Sequence, residues 1–273
     1  MHVTGLHIHP VKSLRGLAVE AAAVDGLGLV GDRRFKVVDP AGTFMTQRAF
    51  PGMARVGALL DGSFLTLSAA GFGDIRVRRD PDPGAPEAVV RIWKSEGLRA
   101  EDCGEAPASW LSSALGTPCR LVRIGAQFNR PVRADYAKPG DIVAFADAFP
   151  LLIISEASLR DLNRRMAETG CAAIPMNRFR PNVVVAGCEP FAEDQLRRLR
   201  IGDVVLRAAK PCIRCIVPTT DQLTGERGVE PMRTLALYRR DPREPSEVMF
   251  GYNLVNESKS GVIRVGDPVE MLD

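Results

Sequence analysis

The sequence predicts a mostly β protein of the α+β type, with a few short helices set around its sheets. Three observations lead there. Short alternating or apolar runs punctuated by glycine, proline and aspartate fill the first part of the chain. Helical spacing is confined to a few short segments, and long parallel βαβ repeats are absent.

Taken in order, strands are expected from Gly5 to Val11, from Arg34 to Asp39 before a PAG turn, from Phe64 to Ser68, from Ile75 to Arg79 and from Val89 to Trp93. Strands this closely spaced form an antiparallel sheet or barrel. RRDPDPGAPEA, residues 78–88, is a turn-rich loop between strands and the segment expected to be least ordered. The pattern changes near Pro107. PASWLSSALG has helical spacing with Gly116 as its stop, and CRLVRI returns to strand, so the chain divides into units 1–115 and 116–273. SEASLRDLNRRMAETG is the clearest helix: Ser155 is its N-cap, Leu159, Leu162 and Met166 share a face, and Gly170 ends it. Strands follow at Asn182 to Ala186, Leu199 to Arg207 and Ile263 to Met271, with a third helix from about Pro231 to Arg239.

Composition narrows the classes of function. Among 273 residues, 45% are apolar and 25% charged, as in ordinary soluble domains, and the length suffices for one large core or two smaller ones. A net charge of +3 with scattered arginines gives no electrostatic argument for a nucleic-acid or membrane-surface partner and leaves room for a single anionic ligand. MHVTGLHIHPVKSLRG contains no continuous apolar run, and no stretch approaches a membrane span, which favours a cytoplasmic protein. The six cysteines are read as thiols, because a chain of this size needs no staples.

The stretch KPCIRCIVPTTDQLTG carries the chemistry. Its CxxC pair, Cys212 and Cys215, has four readings. A closed zinc site needs two further ligands at tight spacing; there is no second CxxC, and His7 and His9 merely share a strand face. A thioredoxin-like pair should open a helix, whereas Ile216 and Val217 look like strand and Pro218 breaks any helix. Both cysteines could be buried small hydrophobes. Finally, one thiolate could serve as a soft ligand to a metal brought by a cofactor, which requires an anion-binding shell elsewhere.

Several motifs together resemble MOSC domain proteins, the domain named after the C-terminal part of molybdenum cofactor sulfurase: PCIRC, DQLTGER, LALYRR and the closing GVIRVGDPVEML. HPVKSLRG, GDRRFKVVD and FMTQR resemble the N-terminal β-barrel domain that precedes MOSC in one branch. FADAFPLLIISEASLRDLN and NRFRPNVVV extend the resemblance over nearly the whole chain. The nearest resemblance is to the amidoxime-reducing component and its bacterial relatives, molybdenum enzymes that reduce N-hydroxylated compounds.

The resemblance implies an N-terminal barrel-like domain followed by a MOSC β-barrel with peripheral helices. The molybdenum cofactor, a molybdenum-molybdopterin, would lie between them; pyridoxal phosphate binding is not expected. Cys215 is the implied metal ligand and Cys212 a neighbour that does not ligate. Lys12, Ser13, Arg33 and Arg180 match positions that hold the cofactor and are suited to a phosphate or a pterin rim. Asn182 and the backbone at Ile213 match contact positions, Arg48 lines the same groove, and Asp147 matches an acid near the metal assigned as proton donor. Asn253 falls where animal proteins carry an aromatic hydroxyl. The implied reaction is two-electron reductive cleavage of an N–O bond in a small N-hydroxylated substrate. Some bacterial relatives continue into a ferredoxin domain, whereas this chain stops at Asp273 without an iron–sulfur ligand set. Electrons are therefore expected from a separate ferredoxin, flavoprotein or cytochrome b5-like protein. A carrier of molybdenum cofactor or of persulfide sulfur is the rival reading.

Overall fold

The computed structural model describes residues 1–272 and is built mainly of strands. The largest sheet runs Val269–Leu272, Arg198–Ile201, Val204–Ile213, Glu244–Asn256, Leu151–Ser155, Val183–Ala186, His2–Ile8, Leu17–Val19. Its order is far from chain order: His2–Ile8 pairs antiparallel with Val183–Ala186, which pairs parallel with Leu151–Ser155. A second sheet joins Phe35–Val38, Arg120–Ile124, Ser95–Asp102 and Glu87–Ile92, and a third is the meander Gly57–Asp61, Phe64–Ala69, Gly73–Arg78.

The segment LLIIS explains why the large sheet has helices on it. A strand turns successive side chains to opposite faces. Leu151 and Ile153 enter one core with Leu199, Leu206 and Leu254, while Leu152 and Ile154 enter another with Leu162, Met166 and Leu235. A strand apolar on both faces must be covered on both. The second face is covered by helices Glu156–Glu168 and Met232–Tyr238, which bring Leu162, Met166 and Leu235. Each such side chain contributes about 1.5–3 kcal/mol of burial. Ser155 caps the first of these helices, its Oγ accepting from Ser158 N at 3.0 Å. The barrel-like front half has its own core, with Val11, Phe35, Val37, Leu65, Leu67, Leu111 and Leu121.

Three expectations change. The run from Leu199 to Arg207 is a hairpin, with Ile201 opposite Val204 and Gly202 at φ 54° in the tight turn. The run from Ile263 to Met271 likewise divides into Val262–Arg264 and Val269–Leu272 around Gly266, whose φ is 93°. Ile216 and Val217 are not strand; Val217–Thr219 is a 3₁₀ turn. The helix Glu105–Leu115 ends as expected at Gly116, in the left-handed region at φ 67°.

Candidate active site

One cleft, with about 840 Å³ of empty space partly open to solvent, collects all eleven residues singled out from the sequence. They arrive from both sides of residue 115. Lys12 and Ser13 follow the strand His2–Ile8, Arg33 precedes Phe35–Val38, and Arg48 lies before the 3₁₀ turn Pro51–Arg55. Asp147 precedes Leu151–Ser155, Arg180 and Asn182 flank the start of Val183–Ala186, and Asn253 lies in Glu244–Asn256.

The cysteines reach the cleft because their strand bends. Val204–Ile213 slips register against Glu244–Asn256 between Ala208 and Lys210 and again between Pro211 and Ile213. Such bulges turn a strand out of its sheet, and they tolerate the missing N–H of Pro211. Asn253 holds this bend, its Nδ2 donating to the carbonyls of Lys210 and Pro211 at 3.3 Å each. All six cysteines are free thiols. Cys212 packs against the helix-covered core, and its Sγ accepts from Arg214 Nη1 at 3.1 Å. Cys215 lies beyond the strand end, half-buried on the cleft wall.

Five cations line the cleft: Lys12, Arg33, Arg48, Arg180 and Arg214. Among the described lining residues the sole carboxylate is Asp147. Arg180 is buried; its Nη1 donates to Leu14 O at 2.7 Å, and its buried Nη2 has no partner. Burial, reinforced by the charge of Arg33, pushes the Arg180 guanidinium down to about 9. Arg33 donates to Asp32 Oδ2 at 2.5 Å and Asn182 Oδ1 at 3.0 Å. Asn182 also accepts from Leu152 N and donates to His7 O, so it orients Arg33 with its amide already engaged. His9 lies behind this group with Nε2 3.1 Å from Pro181 O, and burial followed by the Arg180 and Arg33 charges holds it well below its ordinary value. Ser13, Arg33 and Arg180 have φ of 68°, 48° and 55°, a left-handed conformation that costs a non-glycine residue about 1 kcal/mol or more each.

Asp147, expected as a proton donor, sits among cations. Its carboxylate, with a side chain 53% exposed, pairs with Lys12 and with Arg48 Nη2 at 3.3 Å and accepts from Trp93 Nε1 at 3.2 Å. Desolvation pushes the carboxyl up, but Lys12 and Arg48 push harder in the other direction, holding it well below the ordinary carboxylate range. Lys12 is buried beside it, brought below the ordinary lysine value by burial that Asp147 offsets in part.

Sequence reasoning missed several members. Arg214, inside the PCIRC motif itself, also donates to Phe179 O at 2.7 Å and leaves a buried Nε without a partner; the alternation of cysteine and arginine was the available signal. Arg130 pins the loop before Asp147 by donating to the carbonyls of Ala144, Ala146 and Asp147. Lys36 is fully buried, donates to Arg91 O at 3.1 Å and lies 4.9 Å from the Phe145 ring centroid. Burial, then Lys12 and Arg130, pushes its amine down to about 7. Nothing in the local sequence marks Arg130, Lys36 or Trp93.

A bent strand delivering a CxxC thiol to a cationic cleft under a barrel-like front half defines a protein of the MOSC class. The model of the MOSC N-terminal beta barrel domain matches residues 1–118 and that of the MOSC domain residues 140–270. The chain is 39% identical to mitochondrial amidoxime-reducing component 1 of Homo sapiens over 99% of this chain and 82% of that protein. It is 35% identical to mitochondrial amidoxime reducing component 2 of Bos taurus over 98% and 82%. A solved structure, the YUAD protein of Bacillus subtilis, aligns with 98% of this chain and 93% of that one at 13% identity and a TM-score of 0.40, too low to bear on the fold. The chain belongs to the amidoxime-reducing component branch of the MOSC family.

Proposed function

We propose that this protein is a molybdenum cofactor-dependent oxidoreductase that reduces small N-hydroxylated compounds with electrons from a separate redox protein. The observation that carries this reading is the meeting, in one cleft, of the Cys215 thiol with two guanidinium groups, Arg180 and Arg214, that have no carboxylate partner among the described residues. When bound, the cofactor would supply a redox metal at which two electrons and two protons convert N–OH to N–H and water.

The chain's own residues have these parts. Cys215 offers a soft thiolate for molybdenum. Arg180, with its unpaired Nη2, and Arg33, oriented by Asn182, hold the terminal phosphate. Ser13, the Ile213 backbone and Asn253 border the pterin. Cys212 shapes the wall by taking a hydrogen bond from Arg214. Asp147 orients Lys12 and Arg48, so the ammonium of Lys12 is the group that carries a proton at this face.

A ferredoxin, flavoprotein or cytochrome b5-like donor is proposed for the electrons. Two units, 1–115 and 116–273, are proposed to enclose the cofactor. Cytoplasmic placement is likewise a proposal: no helix among the described residues is long and apolar enough to cross a membrane, while the relatives are named mitochondrial. A carrier of cofactor or persulfide is not favoured, because the named relatives are reducing components. Elemental and pterin analysis of protein made in a cofactor-competent host is the test. About one molybdenum and one pterin per chain are expected; stoichiometric zinc without molybdenum would overturn the reading.

A further inference from the structure

Trp93 is placed as no core residue would be. It is 47% exposed and has φ 53°, a conformation unfavourable for a bulky side chain. It occupies the turn between strands Glu87–Ile92 and Ser95–Asp102, at the tip of a hairpin from the front half. Three contacts fix the indole. Its Nε1 donates to Asp147 at 3.2 Å, the Arg48 guanidinium lies 4.5 Å from its centroid, and Phe44 meets it with centroids 5.1 Å apart and planes at 64°. Beneath the tip, Lys36 holds the Arg91 carbonyl, and Arg130 bridges Ser95 Oγ at 3.3 Å to the Asp147 carbonyl at 2.7 Å.

The hairpin tip is thus tied to the very loop that carries Asp147, and a large flat ring is held rigid and half in water beside a charged cleft. The cations suit an anionic cofactor and a polar N–OH group. An apolar substituent on the substrate gains nothing among them, whereas the indole offers it a π-surface.

We propose that Trp93 is a specificity-determining residue: its exposed ring is the stacking surface for the aryl group of N-hydroxylated substrates whose N–OH end enters the cleft toward Cys215. This rests on the reductase reading above. Two variants isolate the ring, because Trp93→Phe and Trp93→Ala both lose the Nε1 bond to Asp147 and only the second loses the aromatic face. Benzamidoxime and acetamidoxime share the N–OH group and differ in the ring. Selectivity for benzamidoxime, as the ratio of the two kcat/KM values, is expected to be roughly three- to tenfold lower in Trp93→Ala than in Trp93→Phe. Equal selectivity in both variants would mean that Trp93 acts solely through Asp147, and the proposal fails. Fluorescence supplies a readout independent of turnover. With the other tryptophan removed in Trp110→Phe, benzamidoxime should quench Trp93 emission at concentrations where acetamidoxime does not. Quenching without reduction of either compound would overturn the reductase reading and leave the aryl-binding surface standing; equal quenching by both, or by neither, overturns the surface.

Discussion

Two clusters of cations in this molecule are built on opposite terms. In one, Arg207 and Lys259 reach Asp141 at 2.7 and 3.0 Å, while Lys138 and Arg198 reach Glu257 at 2.5 and 2.7 Å. Every cation there touches a carboxylate. In the cleft, Arg33, Lys12 and Arg48 share Asp32 and Asp147, but Arg180 and Arg214 touch no carboxylate among the described residues, and each has a buried nitrogen without an acceptor. The first cluster is matched in charge, although Arg207 Nε there is also buried without a hydrogen bond, 3.6 Å from Glu257. The second is short of negative charge, and the fold bears that cost only where a ligand supplies it.

The sharpest way to break the contrast is to remove what the ligand would be attached to. Cys215→Ser should lower reduction of an N-hydroxylated compound by at least about a hundredfold and strip molybdenum from the purified protein, while Cys212→Ser should stay within about tenfold of the parent. The reverse order, read by metal content and initial rates, would refute the assignment of Cys215. Next in size is the charge deficit itself. Arg180→Ala and Arg214→Ala should each weaken cofactor binding by roughly 1.5–3 kcal/mol, about ten- to a hundredfold. Folded protein depleted in pterin, with activity per bound molybdenum falling less than total activity, is the expected outcome; full pterin in both variants contradicts it.

A smaller effect compares the clusters directly in cofactor-free protein. Arg207→Met leaves Asp141 and Glu257 short of a cation and should cost about 1–3 kcal/mol in a denaturant titration. Arg180→Met also loses hydrogen bonds but relieves a buried charge beside Arg33, so it should cost clearly less. Equal costs would mean that the cleft is as well balanced as the surface network.

Lys36 gives a pH-dependent version of the same test. Its amine titrates near 7 in the folded protein and near about 10.4 when unfolded. Between these values the unfolded chain holds more protons, so native stability rises with pH across that window. Lys36→Met should therefore exceed the parent in stability by about 1–3 kcal/mol at and below pH 7, and the advantage should shrink toward pH 10. A constant difference from pH 6 to pH 10 would place the amine outside its pocket.

What the sequence made legible was local. Alternation and turn residues located most strands, Ser155 and Gly116 marked helix ends, and motif matching collected residues that the fold brings into one cleft. Two long β runs read as continuous because of the apolar residues around their turns, Ile201 and Val204 in one and Val265 and Val269 in the other, although Gly202-Asp203 and Gly266-Asp267 are turn signals. The rest was not local. Arg130 and Lys36 act through backbone carbonyls outside their own segments, Trp93 meets Asp147 54 positions away, and Asp147 meets Lys12 135 positions away.

The pairing of His2–Ile8 with Val183–Ala186 has a consequence for how the chain comes off the ribosome. His2–Ile8 must wait through the synthesis of about 170 residues before this partner exists, with Val3, Leu6 and Ile8, all core residues in the finished fold, lacking that cover. Pairings of such sequence separation are slow to form, and unpaired apolar strands attract aggregation and chaperones. Lys12, Arg180 and Cys215 cannot meet until that sheet closes. Under the proposed function, cofactor loading would then be a late event in the life of the nascent protein.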